Sequence, residues 1–177
     1  MIERQVAELR SLVDAMVCSG QSPETEGLAQ LEQTLARMFG VDSDEVAILT
    51  LNTKNKTLKF VIPEKLALVG TIPLTSTGAL AARTVRERKA ELVNNFSTSR
   101  HASVFEGVPL GRRQGELIYK IMSAPIMDGG HVAGVIQISR KGQSASDAGP
   151  DFTQKDLRVL TSLSPVLARF LKLCQAG

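Results

Sequence analysis

The sequence predicts an α+β domain in which antiparallel strands pack on helices, and three observations predict it. Residues 118–127 and 131–139 are apolar, partly β-branched segments that meet at Asp128-Gly129-Gly130, the composition of a β-hairpin. A second pair, residues 45–51 and 57–62, meets at the polar run Asn52-Thr53-Lys54-Asn55-Lys56. Both ends of the chain carry apolar residues at alternating steps of three and four, the period of a helix with one buried stripe.

The first helix is predicted over residues 2–17 by Ile2, Val6, Leu9, Val13 and Met16, and Ser19-Gly20-Gln21 interrupts it. Ser22-Pro23 then reads as a fresh helix start, a hydroxyl cap followed by a proline whose missing N–H costs nothing at the first position. Leu28, Leu31, Leu35 and Met38 continue the stripe, and Gly40 supplies a left-handed stop. After the first hairpin, Leu74-Thr75-Ser76-Thr77-Gly78 offers hydroxyl caps for a short helix over residues 79–88. Residues 91–93 read as a short strand and residues 94–115 as a long loop, a length that in a compact domain usually serves as a functional lid.

The second hairpin can be read face by face. Ile118, Met122, Ala124 and Ile126 share one side, as do Val132, Gly134, Ile136 and Ile138; Lys120 spoils the first set near its edge. Tyr119, Ile121, Ser123, Val135, Gln137 and Ser139 lie on the other side. A three-residue turn, with Met127 opposite His131, makes the two apolar sides coincide, whereas a two-residue turn sets apolar against mixed, so the longer turn is expected. In the final helix Thr153 and Asp156 form a capping box with Phe152 able to staple onto Leu157, and Leu160, Leu163, Leu167, Phe170 and Cys174 carry the stripe. Pro165 is expected to kink it. Three striped helices need a common surface, and a bundle extended across a two-fold axis would bury them.

Composition limits the function classes. A chain of 177 residues can bury roughly 70% of its unfolded surface without disulfide or metal staples. With 43% hydrophobic and 22% charged residues it is an ordinary globular chain. One Tyr, six Phe and no Trp leave little for stacking bases, and a net charge of +3 is too mild to argue for nucleic acid. Cys18 and Cys174 make no secreted-type framework and lack neighbours at metal-ligand spacing. Glu3, Arg4 and Glu8 rule out a signal-peptide reading of the N-terminus, and no apolar run reaches about 18 residues. The expectation is a cytoplasmic protein with no nucleic-acid or membrane partner and no metal.

Ser123-Ala124-Pro125-Ile126, then Gly134-Val135-Ile136-Gln137-Ile138, then Phe152-Thr153 and Asp156-Leu157 form an ordered set, preceded by Ile72-Pro73-Leu74 and Gly78 before a small-residue helix. This set resembles the GAF family of small-molecule sensor domains over residues 22–174. The resemblance implies an antiparallel sheet of five or six strands, with the N- and C-terminal helices on one face and a lidded pocket on the other. It divides the chain into an N-terminal dimerisation and signalling helix, residues 1–21, and a GAF-like domain, residues 22–177. Tyr119, Ser123, Gln137 and Ser139 would then face the pocket and orient a ligand.

Known subfamilies narrow the chemistry. The Asn-Lys…Phe…Asp-Glu signature of cyclic-nucleotide sensors is missing, because Asn94-Asn95-Phe96 lacks the Lys and Phe105-Glu106 lacks the acidic pair. Bilin-binding and methionine-sulfoxide-reducing relatives use cysteines at the lid or neighbouring strands, whereas both cysteines here lie in terminal helices. His101 and His131 are lone histidines and poor evidence for haem or metal. No cofactor is identified. Around the lid, Arg83, Arg86, Arg88, Lys89, Arg100, Arg112, Arg113 and Lys120 outnumber Glu87, Glu91, Glu106 and Glu116. Guanidinium forks from Arg100 or Arg112, with Thr77 and Gly78 at a helix opening, could hold a carboxylate or phosphate.

The expected function is therefore a stand-alone, non-enzymatic sensor: a homodimer that binds a small anionic molecule and signals through its terminal helices to a separate protein. A small GAF-type reductase acting on an oxidised amino acid is the rival, disfavoured by the cysteine positions. A ligand-free dimerisation scaffold, its chamber filled by Val104, Phe105 and Leu110, is the third reading.

Overall fold

The computed structural model describes residues 2–96 and 117–175. Helices α1 (Ile2–Ser19) and α2 (Thr25–Phe39) come first, then strands β1 (Val46–Asn52), β2 (Thr57–Ile62) and β3 (Thr71–Pro73), helix α3 (Leu80–Glu87) and strand β4 (Glu91–Val93). The long hairpin β5 (Leu117–Asp128) and β6 (His131–Gly142) is followed by α4 (Ala145–Ala148), α5 (Gln154–Ser162) and α6 (Ser164–Gln175). The six strands form one antiparallel sheet in the order β3-β2-β1-β6-β5-β4. This is the α+β architecture read from the sequence.

One face of the sheet carries Val46, Ile48, Met122, Ala124, Ile126, Ile136 and Ile138 against the stripes of α1, α2, α5 and α6. Leu9 and Val13 of α1 are fully buried in this same cluster. The α1 stripe thus finds partners in α2 and α6 of its own chain, with Leu9 and Val13 buried and Ile2, Val6 and Met16 half-buried. The other face holds Leu49, Leu51, Leu58, Phe60 and Val135 under α3, where Ala81 and Ala82 let the helix approach closely.

Three bulges decide which face several residues occupy. Val61, Tyr119 and Ala133 each lack a cross-strand partner between neighbours that have one, and an extra residue reverses the alternation beyond it. Leu58 and Phe60 therefore lie under α3 while Ile62 joins the opposite core. Ile118 is sent to the α3 side, with Leu80, Phe96 and Ile121, and Val132 likewise leaves the helical face. Both residues depart from the faces expected from sequence alternation.

The hairpin turn also differs. Asp128 pairs with His131, so Gly129 and Gly130 make a two-residue turn, with Gly129 at φ +61°. The bulge at Ala133 then restores the parity that a longer turn would have set, and Ala124 opposes Ile136 as the apolar faces require.

Helix ends show mixed agreement. Gly40 closes α2 in the left-handed conformation and Thr153 with Asp156 forms the capping box of α5. By contrast α2 opens at Glu24 rather than Ser22, and α3 opens at Ala79 without a side-chain cap, so neither expected hydroxyl cap forms. The kink expected at Pro165 is a break: α5 ends before Leu163 and α6 starts afresh at Ser164, placing Pro165 in its first turn, where its lost donor is harmless.

Candidate ligand-binding face

The face under α3 contains the polar residues singled out from the sequence. Ser123 on β5 and Gln137 on β6 are directly paired across the strands and point to the same side. Both are buried, and so is Ser139, which lies opposite Ile121. Thr84, on the α3 surface that meets the sheet, completes the set. It was not anticipated; the only signal available was one hydroxyl among the small apolar residues of that helix.

These groups form a chain with one consistent direction. The Thr84 hydroxyl donates to the Leu80 carbonyl at 2.9 Å, so its oxygen must accept from the Ser123 hydroxyl, 2.6 Å away. Ser123 Oγ in turn accepts from Gln137 Nε2 at 3.2 Å. The Ser123 hydrogen is thereby committed to α3, and the chain ties that helix to β5 and β6 in a buried interior where each bond is strengthened. Ser139 Oγ donates to the Glu45 carbonyl at 3.4 Å. Tyr119, half-buried at its bulge, donates its hydroxyl to the Gln143 carbonyl at 3.1 Å.

Thr77 is exposed and Gly78 half-buried, both preceding the Ala79 cap of α3. A Cβ at Gly78 would meet open space, so no close approach requires glycine there. Arg100 and Arg112 lie outside the described residues, as do Val104, Phe105 and Leu110.

Four of the five described cations of the expected basic cluster, all but Lys89, have partners within the protein. Arg83 Nε pairs with Glu87 at 3.3 Å and Glu91 at 3.2 Å. Arg86 donates to the Leu74 and Ser76 carbonyls, and Arg88 to the Gly130 carbonyl. Lys120, only 6% exposed, pairs with Asp151 at 3.0 Å and also donates to the Gly149 carbonyl. These four hold loops and helix ends in place rather than converging on one point.

Cys18 is exposed and Cys174 half-buried, both unbridged. Cys174 packs against the helical core, away from α3, and burial pushes its thiol up to about 11. His131 sits exposed at the hairpin turn. Among the described residues, Asp42, Asp44 and Glu45 bring carboxylates within 4.8 Å of one another. Glu45 spends its carboxylate on the backbone N–H groups of Asp42 and Lys141, which fastens the turn before β1 to β6.

The family model for the GAF domain matches residues 28–172. The chain belongs to the GAF family. This GAF domain also resembles solved structures along nearly its whole length. The GAF domain from Acinetobacter phosphoenolpyruvate-protein phosphotransferase is 16% identical, with 98% of this chain and 96% of that one covered and a TM-score of 0.67. A free methionine-R-sulfoxide reductase from Neisseria meningitidis, in complex with its substrate, is 14% identical over 99% and 91% of the chains, with a TM-score of 0.66. The A. aeolicus nlh2 GAF domain in an inactive state is 14% identical over 98% and 99%, with a TM-score of 0.58. At these identities the likeness establishes the fold of the GAF domain and no more. A comparison with curated proteins returns no match. No helix among the described residues is long and apolar enough to cross a membrane.

Proposed function

We propose that this GAF domain is a non-catalytic sensory module. It binds a small anionic molecule on the α3 side of the sheet, with Arg100 and Arg112 as the anion's partners, and signals as a homodimer through its terminal helices to a separate protein. The observation that carries the reading is the placement of the two faces. Ser123, Gln137 and Ser139 form a buried polar row on the α3 side, while the opposite face of the same two strands packs on the terminal helices. A change in the α3 layer is then one sheet away from α6, and a ligand that favours one packing of α6 over another has a route to output.

The thiols favour this reading over the reductase. Reduction by cysteine needs a thiolate, and Cys174 is pushed up to about 11 while Cys18 lies exposed on α1. A scaffold without ligand is the second reading, and the closed Gln137–Ser123–Thr84 chain is what favours it.

Native mass spectrometry of freshly purified protein, together with a turnover assay, separates the three. The sensor predicts a dimer retaining a small molecule, with retention lost in R100A/R112A. A dimer with no retained mass supports the scaffold. Turnover of free methionine-R-sulfoxide that disappears in C18S/C174S would establish the reductase and end the sensory reading.

A further inference from the structure

A cleft of about 820 Å³ opens on the other side of the molecule, between the tip of the β5–β6 hairpin and the α5–α6 break. Its floor is apolar and comes from separate elements: Ala90, Pro125, Met127, Pro165 and Ala168. The break holds the cleft open. Met127 N–H donates to Ser164 Oγ at 2.6 Å, which pins the hairpin to the first residue of α6, and Pro165 makes a stiff wall beside it.

The rim carries three cations, Arg88, Arg169 and Lys172, against one carboxylate, Asp128. Lys172 pairs with Asp128 at 3.2 Å and Arg169 with Asp14 of α1 at 2.5 Å, both pairs largely in solvent. Among the described residues, Arg88 donates only to a backbone carbonyl and has no carboxylate partner. Exposed pairs of this kind contribute little, so the cations are readily given to an incoming anion. A cavity of drug-like volume with an apolar floor and a few convergent charges is the usual form of a small-molecule site.

We propose that this cleft is a binding site for a small amphipathic anion, an aromatic or acyl body on the Pro125–Met127–Pro165 floor with its carboxylate or sulfonate between Arg169 and Lys172. The site is separate from the α3 face and independent of the sensory reading. Occupancy competes for Arg169, the residue that ties α6 to α1 through Asp14, so a bound anion loosens that tie.

The probe is 1-anilinonaphthalene-8-sulfonate titrated into the ¹⁵N-labelled full chain, with octanoate as competitor. The expected result is saturable shifts at the Gly129, Ala168 and Lys172 amides, reversed by octanoate. Affinity should fall about tenfold or more in R169E/K172E, as the loss of charge-assisted bonds requires, and fall also in T161W, which fills the mouth from an exposed position. K59E carries one of the same charge reversals elsewhere and should bind as the parent does. Shifts that avoid these three amides, an unchanged affinity in T161W, or an equal loss in K59E would overturn the proposal.

Discussion

Asn94 holds Phe152 by both halves of its carboxamide: Nδ2 donates to the Phe152 carbonyl at 3.0 Å, and Oδ1 accepts the Phe152 N–H at 2.9 Å. One side chain thereby mimics a strand pairing between the end of β4 and the approach to α5. Phe152 itself is buried in the helical core, with the Arg140 guanidinium 4.6 Å from its ring centre. Arg140 also donates to the Phe39 and Gly40 carbonyls, so the ends of α2 and β4, β6 and the approach to α5 meet at one junction. An asparagine that could be taken for a fragment of a nucleotide-sensor motif is occupied here with structure.

Asn94→Ala removes both bonds and leaves the backbone groups of buried Phe152 unpaired. The expected loss is about 2 kcal/mol, within the range for orphaned polar groups. Urea unfolding should show a lower midpoint with an unchanged slope, and the Phe152 amide should lose protection against exchange.

The Thr84–Ser123 bond predicts non-additivity. Ser123→Ala strands the Gln137 donor and Thr84→Val strands the Ser123 hydroxyl by removing its acceptor, each costing about 1–3 kcal/mol as a buried unpaired group. The double variant should cost less than the sum, by an interaction energy of about 0.5–3 kcal/mol. Strict additivity in denaturant titrations would show that the two hydroxyls do not share a bond.

Glu32, half-buried on α2, carries a pH dependence. Burial, then the nearby Asp44 and Glu64 carboxylates, raise it from 4.5 to about 7, with Lys65 alone opposing. A carboxyl raised on folding binds its proton more tightly in the folded state, so stability falls as pH rises through this window. Melting temperature should decline between pH 5 and about 7.5, and E32Q should flatten that decline and melt higher at the alkaline end.

Gly134 tests the sheet. A Cβ there would lie 2.1 Å from the Leu49 carbonyl oxygen and 2.7 Å from Leu171 Cδ1, so Gly134→Ala forces β6 away from β1 and should cost more than about 2 kcal/mol. Gly130→Ala, where the added atom meets open space, should stay within about 0.5 kcal/mol. Comparable losses in both would mean that turn conformation, not close approach, governs these glycines.

Local pattern made much of the fold legible. Leu28, Leu31, Leu35 and Met38 fall into the core as their spacing requires, and Thr153 and Asp156 cap α5 as their types require, because helical period and capping depend on residues a few positions apart. Leu58, Phe60 and Ile62 mark the limit. Their equal spacing reads as one face, yet the bulge at Val61 divides them between two cores. Bulges follow from how whole strands must align to close both faces, which no window of sequence contains. The candidate site was half legible for the same reason: alternation placed Ser123 and Gln137 side by side, but Thr84 reaches them from a helix 39 residues away.

By itself the sequence determined the α+β class, five of the six strands and which strand residues are polar, since these are properties of short-range spacing and residue type. Tertiary structure alone decided that α1 packs on α2 and α6, that Arg83, Arg86, Arg88 and Lys120 are spent on other groups of the fold, and that a cleft opens at the α5–α6 break. Each of these depends on which distant groups satisfy one another first, and burial leaves few polar groups unclaimed.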